Sequence, residues 1–279
     1  MKISEKQETL TFATSWVDKT LPYISISEVL GLLNEPFDKM GVAQKTFDKN
    51  FDNPDSQYYQ KTVDQIIEAW EAKGAESCKY GRLLDEYIGV VLEGSESDKE
   101  LYKLDNDIDD DERLACLIQS FDEFLAYMEA NYPALEYVTR EKMLYYKLGD
   151  FYIRGRFDAL FYDTAHNKWI IIDWKSSGTI DKTPTKWTKN LLGAAKAYPA
   201  LNWYTYTMQL YFYKTALLNH YLPEGTTSQD VEVWIVNLPG KELEDSKYFA
   251  IHPAAFIYDQ SIMDKIFSFG FKKQQLLSK

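Results

Sequence analysis

Residues 151–175, FYIRGRFDALFYDTAHNKWIIIDWK, constrain the fold more than any other part of the chain. Two runs rich in aromatic and β-branched side chains, Phe151–Tyr162 and Trp169–Lys175, flank a polar segment at 163–168. Such runs favour strands, and so short a separator predicts an antiparallel hairpin. If Tyr162 faces Trp169, Asp158 faces Asp173. Opposed Cβ atoms lie about 4.5–5.5 Å apart, and like charges at that distance destabilise a sheet. A divalent cation between the two carboxylates reverses the sign, because Mg²⁺ takes hard oxygen ligands, commonly one or two carboxylates plus waters. Lys175 lies two residues beyond Asp173 and shares its face, since side chains alternate along a strand. Two interpretations stand. Asp173 and Lys175 are a surface ion pair on an edge strand, or they are half of an active site. In the second, Asp158, Asp173 and the Trp174 backbone carbonyl hold a metal, and Lys175 orients a water for phosphodiester hydrolysis.

Upstream, the periodicity is helical. Gln57–Lys73 is predicted as a helix stopped by Gly74, followed by Tyr80–Glu93 and by Arg113–Tyr132, which Pro133 ends. Between the last two lies GSESDKELYKLDNDIDDDE, expected as a solvated acidic connection. It is not a calcium loop counted from Asp105: the sixth position is Asp110 rather than Gly, and the twelfth is Cys116 rather than Glu. Beyond Pro133 the pattern changes to strands at Tyr137–Tyr146 and in the hairpin. A helix through Tyr204–Tyr221, a strand at Val231–Leu238 and a helix at Ser261–Leu277 follow. This order predicts an α/β fold, with a helical N-terminal region (1–135) packed on a core (136–279).

The charge is uneven. Of 43 acidic and 31 basic residues, 22 acidic and only 7 basic lie between Phe51 and Glu136; the remainder is mildly basic. The net charge of −12 therefore does not exclude a nucleic-acid partner for the second half. Two cysteines are too few for a four-cysteine zinc or iron–sulfur site. No stretch approaches the roughly 20 apolar residues of a membrane helix. The first residues lack the apolar run of a secretory leader, so a cytoplasmic protein with reduced thiols is expected. No phosphate-binding glycine loop occurs, so no bound nucleotide is expected. His166, His220 and His252 lack metal-binding spacing and are expected on the surface or in loops.

GRFD (155–158), IIIDWK (170–175) and QLYFY (209–213), in this order, resemble the PD-(D/E)XK nuclease superfamily, and within it the RecB-like branch that includes phage exonucleases. Gly155 and Asp158 match its G-x-x-D strand, Asp173 and Lys175 its D-x-K strand, and Gln209 and Tyr213 its Q-x-x-x-Y helix. Glu141 sits where the family often has an acid on the preceding strand. More loosely, ISISEVLGLLNEPFD (24–38) resembles an N-terminal segment of the phage members, and residues 68–88 resemble their G-x-x-x-H helix. There Gly81 is followed four residues later by Asp85 in place of the histidine ligand. The resemblance implies a restriction-endonuclease-like core, a central mixed sheet flanked by helices. It also implies Mg²⁺ or Mn²⁺, no iron–sulfur cluster, and DNA cleavage leaving a 5′-phosphate. An exonuclease of phage recombination or processing is expected, acting on linear duplex or single-stranded DNA, with a phage recombination or replication protein as a partner. A single-strand or structure-specific endonuclease and a non-catalytic DNA-binding or virion component on a nuclease fold are the alternatives.

Other residues carry paired interpretations. Asp85 is a metal ligand or a solvated helix acid. Glu141 binds metal through water, or pairs with Arg154 or Arg156. Those two arginines touch phosphate or cover their neighbours. Gln209 and Tyr213 share a helix face; they border the metal site or pack on the sheet. The loop 176–198 carries Lys182, Lys186, Lys189 and Lys196 around Trp187. It binds DNA, with lysines on phosphates and the ring on a base, or it is a plain surface loop.

Overall fold

The computed structural model describes residues 2–277 except 107, 109, 177, 244–246 and 255–258. Its elements are α1 (Lys6–Thr9), β1 (Tyr23–Ser25), α2 (Ile26–Leu32), α3 (Lys39–Asn50), α4 (Val63–Glu93), α5 (Glu96–Asp105), α6 (Glu112–Asn131), β2 (Leu135–Arg140), β3 (Met143–Leu148), β4 (Phe151–Arg156), β5 (Ala159–Asp163), β6 (Lys168–Lys175), α7 (Asn202–His220), β7 (Val231–Asn237), β8 (Ala250–Pro253) and α8 (Gln260–Leu277). The strands form a five-stranded sheet, β2-β5-β6-β7-β8, and a three-stranded sheet, β1-β4-β3. The β2–β5, β5–β6 and β7–β8 pairs are antiparallel, whereas β6 and β7 are parallel and joined through α7. This is the mixed α/β architecture expected.

The hairpin register is as predicted, with Tyr162 against Trp169 and Ala159 against Ile172. Its first arm is not one strand. The chain leaves the small sheet at Arg156 and enters the large one at Ala159. The expected strand Tyr137–Tyr146 divides in the same way, between β2, which ends at Arg140, and β3, which begins at Met143. The two crossings touch: the Glu141 N–H donates to the carbonyls of Phe157 (3.1 Å) and Asp158 (3.2 Å). Glu141 adopts φ 54°, a left-handed conformation uncommon outside glycine. Asp158 and Glu141 therefore sit at a seam between two sheets, outside both ladders.

β6 is buried on both faces, as suits a central strand. Trp169 and Ile171 pack in one core with Met208, Phe212 and Tyr213 of α7 and with residues of α2 and α8. Ile170, Ile172 and Trp174 pack in a second core with α4 and α6. Trp174 meets Phe121 and Phe124 edge-on, at 5.7 and 5.4 Å between centroids. Alternation then puts Asp173 and Lys175 on the α7 side.

The helices differ from expectation in two places. Gly74 does not stop a helix; α4 runs 31 residues through it. The glycine is exposed, with nothing within 4 Å of a built Cβ. An exposed helical glycine costs about 1 kcal/mol, which a long helix opened by the Thr62–Gln65 capping box outweighs. The acidic connection is not all loop, because Ser95 and Asp98 form a capping box that starts α5. Residues 107 and 109 of that segment, and Ser177 after β6, lie outside the described residues. No described helix is long and apolar enough to cross a membrane. His252 lies on a strand, β8, rather than in a loop.

Candidate metal and phosphodiesterase site

Asp173 is fully buried. Its Oδ1 has no partner among the described residues, and its Oδ2 meets Lys175 Nζ at 2.6 Å outside hydrogen-bond geometry. An unsatisfied buried carboxylate oxygen is costly. It is accounted for if the site is built to receive a cation. Asp158 reaches the same place from the seam: the Trp174 N–H donates to its Oδ2 at 2.7 Å. A strand residue points its N–H and C=O to the same side. The Trp174 carbonyl thus projects toward Asp158, beyond the last β5–β6 pair, while the Lys175 carbonyl accepts from Leu238 on the opposite side.

The electrostatics follow from this crowding. Burial, then the Asp173 charge, pushes the Asp158 carboxyl well above its ordinary range; Lys175 and the Trp174 N–H oppose this only in part. Burial likewise raises Asp173, against the pull of Lys175. For Lys175, burial would lower the pKa, but the charges of Asp173 and Asp158 outweigh it and the net movement is upward. Lys175 therefore stays protonated, held between two carboxylates and the Tyr206 ring, 4.4 Å from its centroid.

Above these groups opens a cleft of about 270 Å³, lined by Asp85, Glu141, Arg156, Asp158, Lys175 and Ser176. Glu141 makes an ion pair with Arg156 Nε. Burial, then the Asp85 charge, raises its carboxyl. Asp85 pairs with Arg140 Nη2 at 2.6 Å. Its carboxylate thus has a cationic partner, as that of Glu141 does, and it borders the cleft. Among the described residues no group of three or more His, Cys, Asp or Glu side chains forms a cage. Two carboxylates and a backbone carbonyl, all hard oxygens, suit Mg²⁺ or Mn²⁺, which retain waters rather than demand a full protein shell.

Gln209 and Tyr213 do not project into the cleft as a free pair. Gln209 Nε2 donates to the Tyr213 hydroxyl (2.8 Å), which donates to the Arg156 carbonyl (2.8 Å). They tie α7 to the residue where the chain leaves the small sheet. Gly155 is required there, since a Cβ would lie 2.7 Å from Ile26, 2.8 Å from Phe212 and 3.0 Å from Tyr213. Arg154 is not brought to the cleft; its guanidinium lies over Tyr23, 3.8 Å from the ring centroid.

Nor do the loop lysines line this cleft. Lys189 pairs with Glu35. Lys186 lies 4.9 Å from the centroid of the Trp187 ring. Lys196 is exposed. Lys182 is lowered by burial and helps bring His252 to about 4, after the larger effect of burial on that histidine. Two residues on the site's face are not site candidates from the sequence: Tyr206, which its helix pattern assigns to the core or its rim, and Asn237. Asn237 pairs with Lys175 across β6 and β7, is buried, and has an Oδ1 without a partner among the described residues. For Tyr206 the only signal was helical spacing three residues before Gln209. For Asn237 it was a lone amide ending an apolar strand.

A family model described as the PD-(D/E)XK nuclease superfamily matches residues 49–267. Among solved structures, a protein from Eubacterium rectale named "Putative exonuclease" is similar at 12% identity with a TM-score of 0.44, covering 99% of this chain and 86% of that one. SSO0001 is similar at 15% identity with a TM-score of 0.30, covering 70% of this chain and 75% of that one. Comparison with curated proteins finds no match.

Proposed function

We propose, from the premise that the chain belongs to the PD-(D/E)XK nuclease superfamily, that it is a divalent-metal-dependent DNA exonuclease of phage recombination or processing. The observation that carries the catalytic part is the convergence of Asp158 and Lys175, both half-buried, on the fully buried Asp173, with an Asp173 oxygen left unsatisfied. Asp158, Asp173 and the Trp174 carbonyl would hold the ion, and Glu141 would contribute through water. When bound, the ion polarises the phosphoryl oxygen and lowers the pKa of a water. Lys175, kept protonated by its two acids, orients the attacking water and offsets charge developing on the phosphate. Tyr206 limits where the Lys175 ammonium can swing. Arg156, exposed at the cleft, neutralises the incoming backbone. Gln209 and Tyr213 position the seam rather than touch substrate. Exonucleolytic action rests on the RecB-like pattern in 155–213.

The test is cleavage of end-labelled linear duplex, closed circular duplex and single-stranded DNA, each with Mg²⁺, Mn²⁺ or EDTA. Wild type is compared with Asp173→Asn and Lys175→Ala. Metal-dependent loss of molecules with ends, abolished in both variants, is the expected result. Cutting of closed circles would replace the exonuclease by an endonuclease. Absence of cleavage with unchanged DNA binding would leave a binding protein on a nuclease fold.

A further inference from the structure

A cleft of about 690 Å³, larger than the one over the acids, lies between the loop after β6 and the α2–α3 connection. Trp187 forms one wall and Phe37 another, with 80% and 66% of their surfaces exposed. Exposed aromatic rings gathered in one cleft and rimmed by polar residues mark a binding groove. Lys45 of α3 lines the cleft and makes no ion pair among the described residues. Lys186 leans on the Trp187 ring. The Lys189–Glu35 ion pair, exposed on both sides, bridges the loop and the α2–α3 connection.

We propose that this cleft is a subsite for an unpaired nucleotide, and that the enzyme therefore prefers a single-stranded tail or frayed end to a blunt duplex. The inference rests on the nuclease reading above and names its substrate class. Stacking on an aromatic ring is open to any base once it has left the duplex, and lysines around the ring take its phosphates. A paired base has its faces covered by its neighbours and cannot enter. The start of α7 links the two places: Leu201, in the cleft lining, immediately precedes α7, and Tyr206, five residues on, packs against Lys175. No side chain caps the start of α7, so its free N–H groups add positive potential at the same place.

The test measures binding of labelled oligonucleotides by anisotropy in EDTA, comparing a blunt duplex, the same duplex with a single-stranded tail, and a single strand. Wild type is expected to prefer the tailed and single-stranded forms. Trp187→Ala should weaken those by about tenfold or more and the blunt duplex far less, while Trp187→Phe retains most of the preference. Lys45→Ala should weaken the tailed form and lower the salt slope by about one phosphate. No preference in wild type, or equal loss on all three substrates in Trp187→Ala, overturns the subsite. Calorimetric Mg²⁺ titration of wild type and Asp173→Asn reads the other site separately. Mg²⁺ binding without a tail preference removes this inference alone; no Mg²⁺ binding removes the nuclease reading beneath it.

Discussion

The Trp174 N–H donates to Asp158 Oδ2 at 2.7 Å, so the strand carrying one acid fixes the orientation of the other. The carboxylate spacing is therefore set by backbone rather than by free rotamers. The same hydrogen bond leaves the second Asp158 oxygen for a cation. Asp158→Asn and Asp173→Asn should each lower cleavage by at least about 10³-fold, since each removes a charge that the cation requires. Calorimetric titration with Mg²⁺ should show the loss of affinity that accompanies it.

The acids carry a cost in the metal-free protein. The Asp158 carboxyl is raised above its ordinary 3.8, by burial first and then by Asp173. The folded state then binds its proton more tightly than the unfolded chain, so this group destabilises the fold as pH rises. The cost is absent below the unfolded value of 3.8 and complete above the raised folded value. In EDTA at neutral pH, Asp158→Asn should melt a few degrees higher than wild type. Added Mg²⁺ should raise the melting temperature of wild type and not of the variant, as differential scanning calorimetry would show.

Lys175 separates binding from chemistry. Its ammonium touches Asp173 and lies close to Asp158 without being a ligand. Lys175→Ala should cut turnover by about 10²–10³-fold while Mg²⁺ still binds. Lys175→Arg should not restore turnover, because a planar guanidinium that stacks on the Tyr206 ring and forks onto a carboxylate does not reproduce a compact ammonium with rotatable donors. Single-turnover kinetics at saturating metal is the appropriate measurement; a large loss of metal affinity in Lys175→Ala would contradict the assignment.

Tyr213→Phe tests the positioning role of α7. It removes the hydroxyl that donates to the Arg156 carbonyl and accepts from Gln209. A loss of about 1–2 kcal/mol in urea unfolding is expected. Turnover should fall less than in Lys175→Ala, and Mg²⁺ affinity should drop because Asp158 follows Arg156 by two residues. Unchanged Mg²⁺ affinity would assign the tyrosine to packing alone.

Gly155→Ala should be the most damaging conservative change in the small sheet. Its Cβ would press on Ile26, Phe212 and Tyr213 at 2.7–3.0 Å, and overpacking of this kind costs about 1–3 kcal/mol. Chemical denaturation would measure it, and a stability equal to wild type would show that α2 or α7 can yield.

The hairpin from Ala159 to Lys175 and the helix carrying Gln209 were legible because local pattern sets them: β-branched runs, a short polar turn and 3.6-residue spacing. The seam was not. Phe151–Arg156 and Ala159–Asp163 have the same strand-like composition, and only tertiary packing assigns them to different sheets. Glu141 falls at the other crossing for the same reason, and its positive φ has no signature in a glutamate. Tyr206 and Asn237 depend on the rotation of α7 and on strand order, which no local window contains. Gly74 misled because a glycine is a helix stop only where no better continuation exists. The Ser95–Asp98 box was a local signal passed over within an acidic stretch.

On the proposed reading, the seam would make cation affinity depend on how two sheets are mounted on each other. Asp158 lies two residues beyond Arg156, where the small sheet ends, and one before Ala159, where the large sheet begins, and the Trp174 N–H ties its carboxylate to the strand of Asp173. A substitution in β1 or β3 that shifts the small sheet would load that one short link. Residues far from any phosphate would then set how firmly the pair of acids is held, with neither acid replaced.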